Sequence, residues 1–138
     1  MKDIFNQNKT REIFYKTDEE VELLREACLL VCKVLTYVGE TIRPGITGLE
    51  LDKVAEEIVR DHGSTPAFKG YPGAHGPFPS TLCISKNEVI VHGIPSKEEF
   101  KDGDIVSVDC GVYMNEYYGD AAYTFCIGDV AEKTMELC

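Results

Sequence analysis

The sequence predicts an α+β domain: two helices packed on an antiparallel-rich sheet that ends in a hairpin. Three observations predict it. Thr17 with Glu20 and Thr47 with Glu50 form capping boxes, each followed by apolar residues at helical spacing. From Ile105 to Phe125, β-formers alternate around a short polar break, the pattern of a hairpin. That hairpin carries two aspartates, Asp109 and Asp120.

The elements follow in order. Residues 1–16 read as a loosely held lead-in with scattered Lys2, Lys9, Arg11 and Lys16; residues 17–138 read as the domain proper. In the first helix, Val21, Leu24, Cys28, Val31, Leu35 and Val38 repeat at helical spacing. Gly39 is a stop, or the helix runs on a little before Pro44. In the second helix the stripe is Leu51, Val54, Ala55 and Ile58, and His62-Gly63 closes it. Residues 64–82 have no periodicity. Pro66, Pro72, Pro77 and Pro79 alternate there with Gly70, Gly73 and Gly76, and Phe68, Tyr71 and Phe78 are interleaved. A loop of that length walls an apolar pocket or lies on the surface; composition leaves both open. Leu82–Ser85 and Glu88–His92 read as strands joined by a turn at Lys86-Asn87. Lys101–Asp104 reads as a turn into the hairpin, and Val130–Cys138 as a third helix cut by the chain end.

Strand side chains alternate between faces. One hairpin face carries Ile105, Ser107, Asp109 and Gly111, then Asp120, Ala122, Thr124 and Cys126. The other carries Val106, Val108, Cys110 and Val112, then Ala121, Tyr123, Phe125 and Ile127, and is bulky enough to pack on a core. A turn centred on Met114-Asn115 sets the aspartates directly opposite each other. Like charges so placed destabilise a sheet, so a compensating cation is expected. Carboxylates suit Mn, Fe(II), Co or Zn with further ligands, and Cu(I) less well. The competing reading makes one aspartate a turn residue and the other solvated.

The 138 residues are enough for one domain with a core. The net charge of −10 argues against a nucleic-acid groove and an anionic membrane surface. No apolar run reaches transmembrane length, and Met-Lys-Asp-Ile-Phe-Asn lacks a signal core. The six cysteines include no Cys-x-x-Cys pair; all are expected to be reduced, in a cytoplasmic protein. Cys28 and Cys32, among apolar neighbours, read as buried thiols. His62 reads as structural at a helix end. His75 lies in the loop, exposed or facing the pocket. His92 ends an apolar strand, where a satisfied polar role is commoner than catalysis.

The ordered motifs change that balance. Asn87-Glu88-Val89-Ile90-Val91-His92-Gly93-Ile94-Pro95, Lys101-Asp102-Gly103-Asp104-Ile105-Val106, Val108-Asp109 and Tyr118-Gly119-Asp120 closely resemble type I methionine aminopeptidase. Pro66-Ala67-Phe68-Lys69-Gly70-Tyr71, Phe78-Pro79 and Arg43-Pro44-Gly45 with Thr47 resemble it too, so the likeness runs from about Thr17 onward. The resemblance implies the first half of a pita-bread α/β fold and two divalent metal ions held between related halves. It implies removal of N-terminal methionine from nascent proteins and peptides. Asp109 resembles the bidentate ligand of one ion, and Asp120 the carboxylate bridging both. His92 resembles the histidine that contacts substrate near the scissile amide. Phe68, Tyr71, Phe78 and Cys83 resemble the walls of the methionine pocket.

Two departures bear on activity. A histidine and two glutamates that complete the family's ligand set, one glutamate being its general base, have no match here. The expectation is an N-terminal portion, inactive alone and completed by a missing C-terminal half. In addition, Pro72-Gly73-Ala74 lengthens the pocket loop. Two other readings are a pita-bread interaction module without catalysis and a related Xaa-Pro peptidase.

Overall fold

The computed structural model describes residues 13–138 apart from His75, so most of the lead-in lies outside the described residues. Helix α1 spans Asp18–Thr41 and α2 spans Gly48–Asp61. Both begin as their sequences dictate. The Thr17 hydroxyl accepts from the Glu20 N–H at 3.2 Å, and the Glu20 carboxylate accepts from the Thr17 N–H at 2.8 Å. Thr47 and Glu50 repeat the exchange at 3.2 and 2.9 Å. Each box satisfies N–H groups that a helix start otherwise orphans. Helix α1 runs past Gly39 to Thr41, where Ile42 turns extended. His62 caps α2, and Gly63 takes a positive φ of 69°.

Strand β1 is Thr65–Pro66, β2 Leu82–Lys86, β3 Ile105–Met114 and β4 Tyr117–Cys126. All pairings are antiparallel, and β3 is central. It pairs with β4 and also with β2, and near its end with β1. Val106, Val108, Cys110 and Val112 of β3, with Leu82 and Ile84 of β2, are buried in one cluster with Ala27, Leu30, Val31, Val34 and Val38 of α1 and Leu51, Ala55 and Val59 of α2. The helices thus cover one sheet face and leave the aspartate face to the site. A short helix, α3, spans Glu132–Met135. No helix among the described residues is long and apolar enough to cross a membrane.

Asp52 ties α2 to β2. Its buried Oδ1 accepts the Thr81 N–H at 2.9 Å and the Leu82 N–H at 2.8 Å. Burial raises its carboxyl pKa against the pull of those two donors. Asp52→Ala orphans both donors. It is expected to cost about 3 kcal/mol in urea unfolding, while Asp52→Asn, which keeps an acceptor oxygen, costs less.

Three expectations need correction. The hairpin turn sits at Asn115-Glu116, both at positive φ (52° and 67°), as a two-residue hairpin turn matched to strand twist requires. The register therefore shifts. Gly111 faces Asp120 and Asp109 faces Ala122, so the two carboxylates are diagonal neighbours on one face and not directly opposed. Residues 88–92 are not a strand. Asn87 takes a positive φ of 53°, its side chain bonds Ile105 N–H (3.0 Å) and Asp104 (2.9 Å), and the chain turns out. The β2 edge is taken instead by Gly93, whose carbonyl accepts the Ile84 N–H at 2.8 Å. Cys28 and Cys32 are exposed, not buried. Gly119 sets the rotation of α1: a Cβ there would stand 2.6 Å from the Ala27 backbone, so the helix sits down on β4 at Ala27. The buried stripe is then Ala27, Leu30, Val31, Val34 and Val38, and both thiols turn outward.

Candidate metal centre and its cleft

The face opposite the helices floors a cleft of about 690 Å³. Asp109 and Asp120 line it, with Phe68, Tyr71, Phe78, Cys83 and His92 from three other segments. The β3–β4 register puts both carboxylates on this face because 109 and 111, and 120 and 122, share the strand period. Asp109 Oδ1 is buried and has no hydrogen-bond partner. Burial, and then the charge of Asp120, raise the Asp109 pKa; His92 works in the opposite direction. An acceptor oxygen withdrawn from water, beside a second carboxylate and without a donor, is suited to a cation. The donor set, carboxylate oxygens with an imidazole nearby, fits a hard or borderline divalent ion. Among the described residues no group of three or more His, Cys, Asp and Glu side chains is placed to hold one. Asp109 and Asp120 thus stand as a carboxylate pair without a third such side chain placed beside them among the described residues.

His92 is exposed and left-handed, with φ +57°, a conformation non-glycine residues seldom adopt. It is presented by its neighbour. Gly93 N–H donates to Ser85 Oγ at 3.1 Å, and a Cβ on Gly93 would overlap the Ile84 carbonyl. Only glycine lets the chain lie this close on β2, and that seating carries His92 to the cleft.

Gly111 plays a similar part on the floor. A Cβ there would meet the Phe68 ring at 2.6 Å, so its absence lets the ring lie on the sheet over Gly111, the residue paired with Asp120. The sequence places Gly111 on the aspartate face and Gly93 beside His92, but gives neither a role in the site. An isolated glycine inside a strand pattern was the available signal for Gly111. Gly111→Ala is expected to displace Phe68 and weaken apolar ligand binding about tenfold with a smaller effect on stability, measurable by calorimetry beside unfolding curves.

Cys83 faces Asp109 across the β2–β3 ladder and is buried. Burial, then the charges of Asp109, Asp120 and Asp52, push its thiol up to about 11. It stays protonated near neutrality and lines the cleft as an uncharged thiol. Iodoacetamide at pH 8 is expected to modify exposed Cys28 and Cys32 while sparing Cys83, since only the thiolate attacks; peptide mapping by mass reads this directly. Tyr71 stands at the cleft mouth, 69% exposed. His62 lies apart: its Nδ1 bonds the Ile58 carbonyl at 2.7 Å and its Nε2 meets the Lys33 ammonium at 2.9 Å, joining α1 to α2. His75 lies outside the described residues.

Comparison with known proteins agrees with this geometry. Residues 22–138 match the model of metallopeptidase family M24. The methionine aminopeptidase of Clostridium perfringens is 46% identical over 125 residues, covering 91% of this chain and 49% of that protein. The crystal structure of methionine aminopeptidase from Rickettsia prowazekii superposes with a TM-score of 0.85 at 32% identity, over 91% of this chain and 49% of that one. Prolidase from Pyrococcus furiosus superposes less closely, with a TM-score of 0.69 at 27% identity, over 88% of this chain and 33% of that one. The chain spans about half the length of the curated relatives it matches.

Proposed function

The chain belongs to metallopeptidase family M24, and on that premise we propose that it forms the metal-binding first half of an enzyme that removes N-terminal methionine from peptides and nascent chains. One observation carries the reading: the buried, unpartnered Asp109 Oδ1 beside Asp120, on the floor of an apolar cleft. Asp109 and Asp120 would hold the divalent ions, two by the likeness to the family; Co, Mn, Fe and Zn all suit the donors. Bound divalent ions supply Lewis acidity and an activated water.

The chain's own residues do the rest. Phe68, Phe78 and Cys83 take the unbranched thioether side chain out of water, and Tyr71 closes its outer side. The Cys83 thiol, held protonated, adds no charge to that pocket. His92, exposed at the cleft, hydrogen-bonds the substrate near the scissile amide, where charge develops. His92→Ala is expected to lower kcat on the order of a hundredfold with little change in stability. The remaining metal donors are proposed to come from outside these 138 residues, so this chain alone releases no methionine. Its four exposed free thiols suit a reducing, cytosolic setting.

The experiment is an assay of the full-length protein, loaded with Co(II) or Mn(II), on Met-Ala-Ser and on an Xaa-Pro peptide. Release of methionine from the first supports the proposal. Cleavage of the Xaa-Pro peptide alone overturns it.

A further inference from the structure

Tyr71 and Phe78 anchor the two ends of the proline- and glycine-rich excursion in the cleft wall. Gly70 N–H donates to the Phe78 carbonyl at 2.8 Å, and Phe78 N–H donates to the Tyr71 carbonyl at 2.9 Å. These bonds close the chain across the excursion and hold Phe78 in place below it. Pro72, Ala74 and Pro77 line the same cleft as His92 and Ile94, which come from the segment after β2. All five are exposed, so they border its open mouth and not its floor. An N-terminal side chain seated on Phe68 and Cys83 brings its peptide bond to the aspartates. The rest of that peptide must then leave past the mouth.

We infer that Pro72, Ala74 and Pro77 form a rim that contacts the second and third residues of the bound peptide; this rests on the proposed methionine-releasing activity. The rim residues are small or cyclic and uncharged. A rim of this chemistry accepts either sign of charge beyond the scissile bond. Among the described residues, Pro72, Ala74 and Pro77 supply apolar contact there and carry no charge of their own.

The test places charge on the rim of the full-length, metal-loaded protein as Ala74→Asp and Ala74→Lys. Substrates are Met-Ala-Lys and Met-Ala-Glu peptides and methionine amide, which has no chain beyond the scissile bond. Ala74→Asp is expected to raise the Lys-over-Glu ratio of kcat/KM about fivefold and Ala74→Lys to lower it about as much, both shrinking in 0.5 M salt. Methionine amide is unchanged. Calorimetry on the same peptides with the first amide reduced to a methylene-amine reads the ratio without turnover. Opposite shifts in binding with no release in any protein keep the rim and sink the hydrolase reading. Ratios that do not move, or that move alike for both variants, overturn the rim. A matching loss on methionine amide overturns it as well.

Discussion

Asp109→Asn is expected to lower methionine release by the full-length, metal-loaded protein by well over a hundredfold. Even residues that only support a ligand cost about ten- to a hundredfold when removed. The substitution keeps shape and removes the charge whose buried oxygen has no other partner. It carries a second, opposite result. The folded-state pKa of Asp109 lies above its ordinary value, so the metal-free folded state binds its proton more readily than the unfolded chain does. Its charge is then a burden that is absent below the ordinary carboxylate range and grows as pH rises through the raised pKa. Metal-free Asp109→Asn should therefore melt above the wild-type at neutral pH, and the gain should vanish in acid. A metal ligand predicts lost activity together with higher metal-free stability; an ordinary structural aspartate predicts both lost. Melting curves with and without Mn(II), at pH 7 and pH 3, separate the two.

Gly93→Ala is expected to destabilise the fold by about 3 kcal/mol or more in chemical denaturation. The added methyl meets backbone atoms of Ile84 and Ser85, which belong to β2 and cannot swing aside as a side chain would. The Ile84–Gly93 hydrogen bond is lost with the close approach. Activity should fall with it, because the left-handed His92 sits directly before the seated Gly93. His92→Ala provides the contrast, with activity lost and stability kept. Wild-type stability in Gly93→Ala would show that the chain does not lie on β2 as described.

Much of the architecture was legible because it is local. Thr17, Glu20, Thr47 and Glu50 mark helix starts by hydrogen bonds within one turn, and both boxes form. The two hairpin faces follow from a period of two, which a register shift of two preserves. Asp109 and Asp120 therefore share a face although the turn sits one residue later than the sequence suggested. The errors came from tertiary contacts. Val89, Ile90 and Val91 are strong β-formers, yet Gly93 occupies the edge they would need, and all three are exposed. The face of α1 was set by Gly119, distant in sequence, and not by the count of apolar residues around Cys28 and Cys32. In the site, the aspartates were visible as a like-charge pair. Gly93 and Gly111 were not, because their role is the absence of a side chain. The pita-bread assignment suggested by the motifs is supported by the superposition on methionine aminopeptidase.

The most direct measurement is Mn(II) binding by calorimetry, with methionine release on the same samples, for the full-length protein and for Asp109→Asn and Asp120→Asn. Two ions per wild-type protein, loss of bound metal in both variants, and release that tracks occupancy are expected. Full metal occupancy and unchanged release in either variant would contradict this expectation.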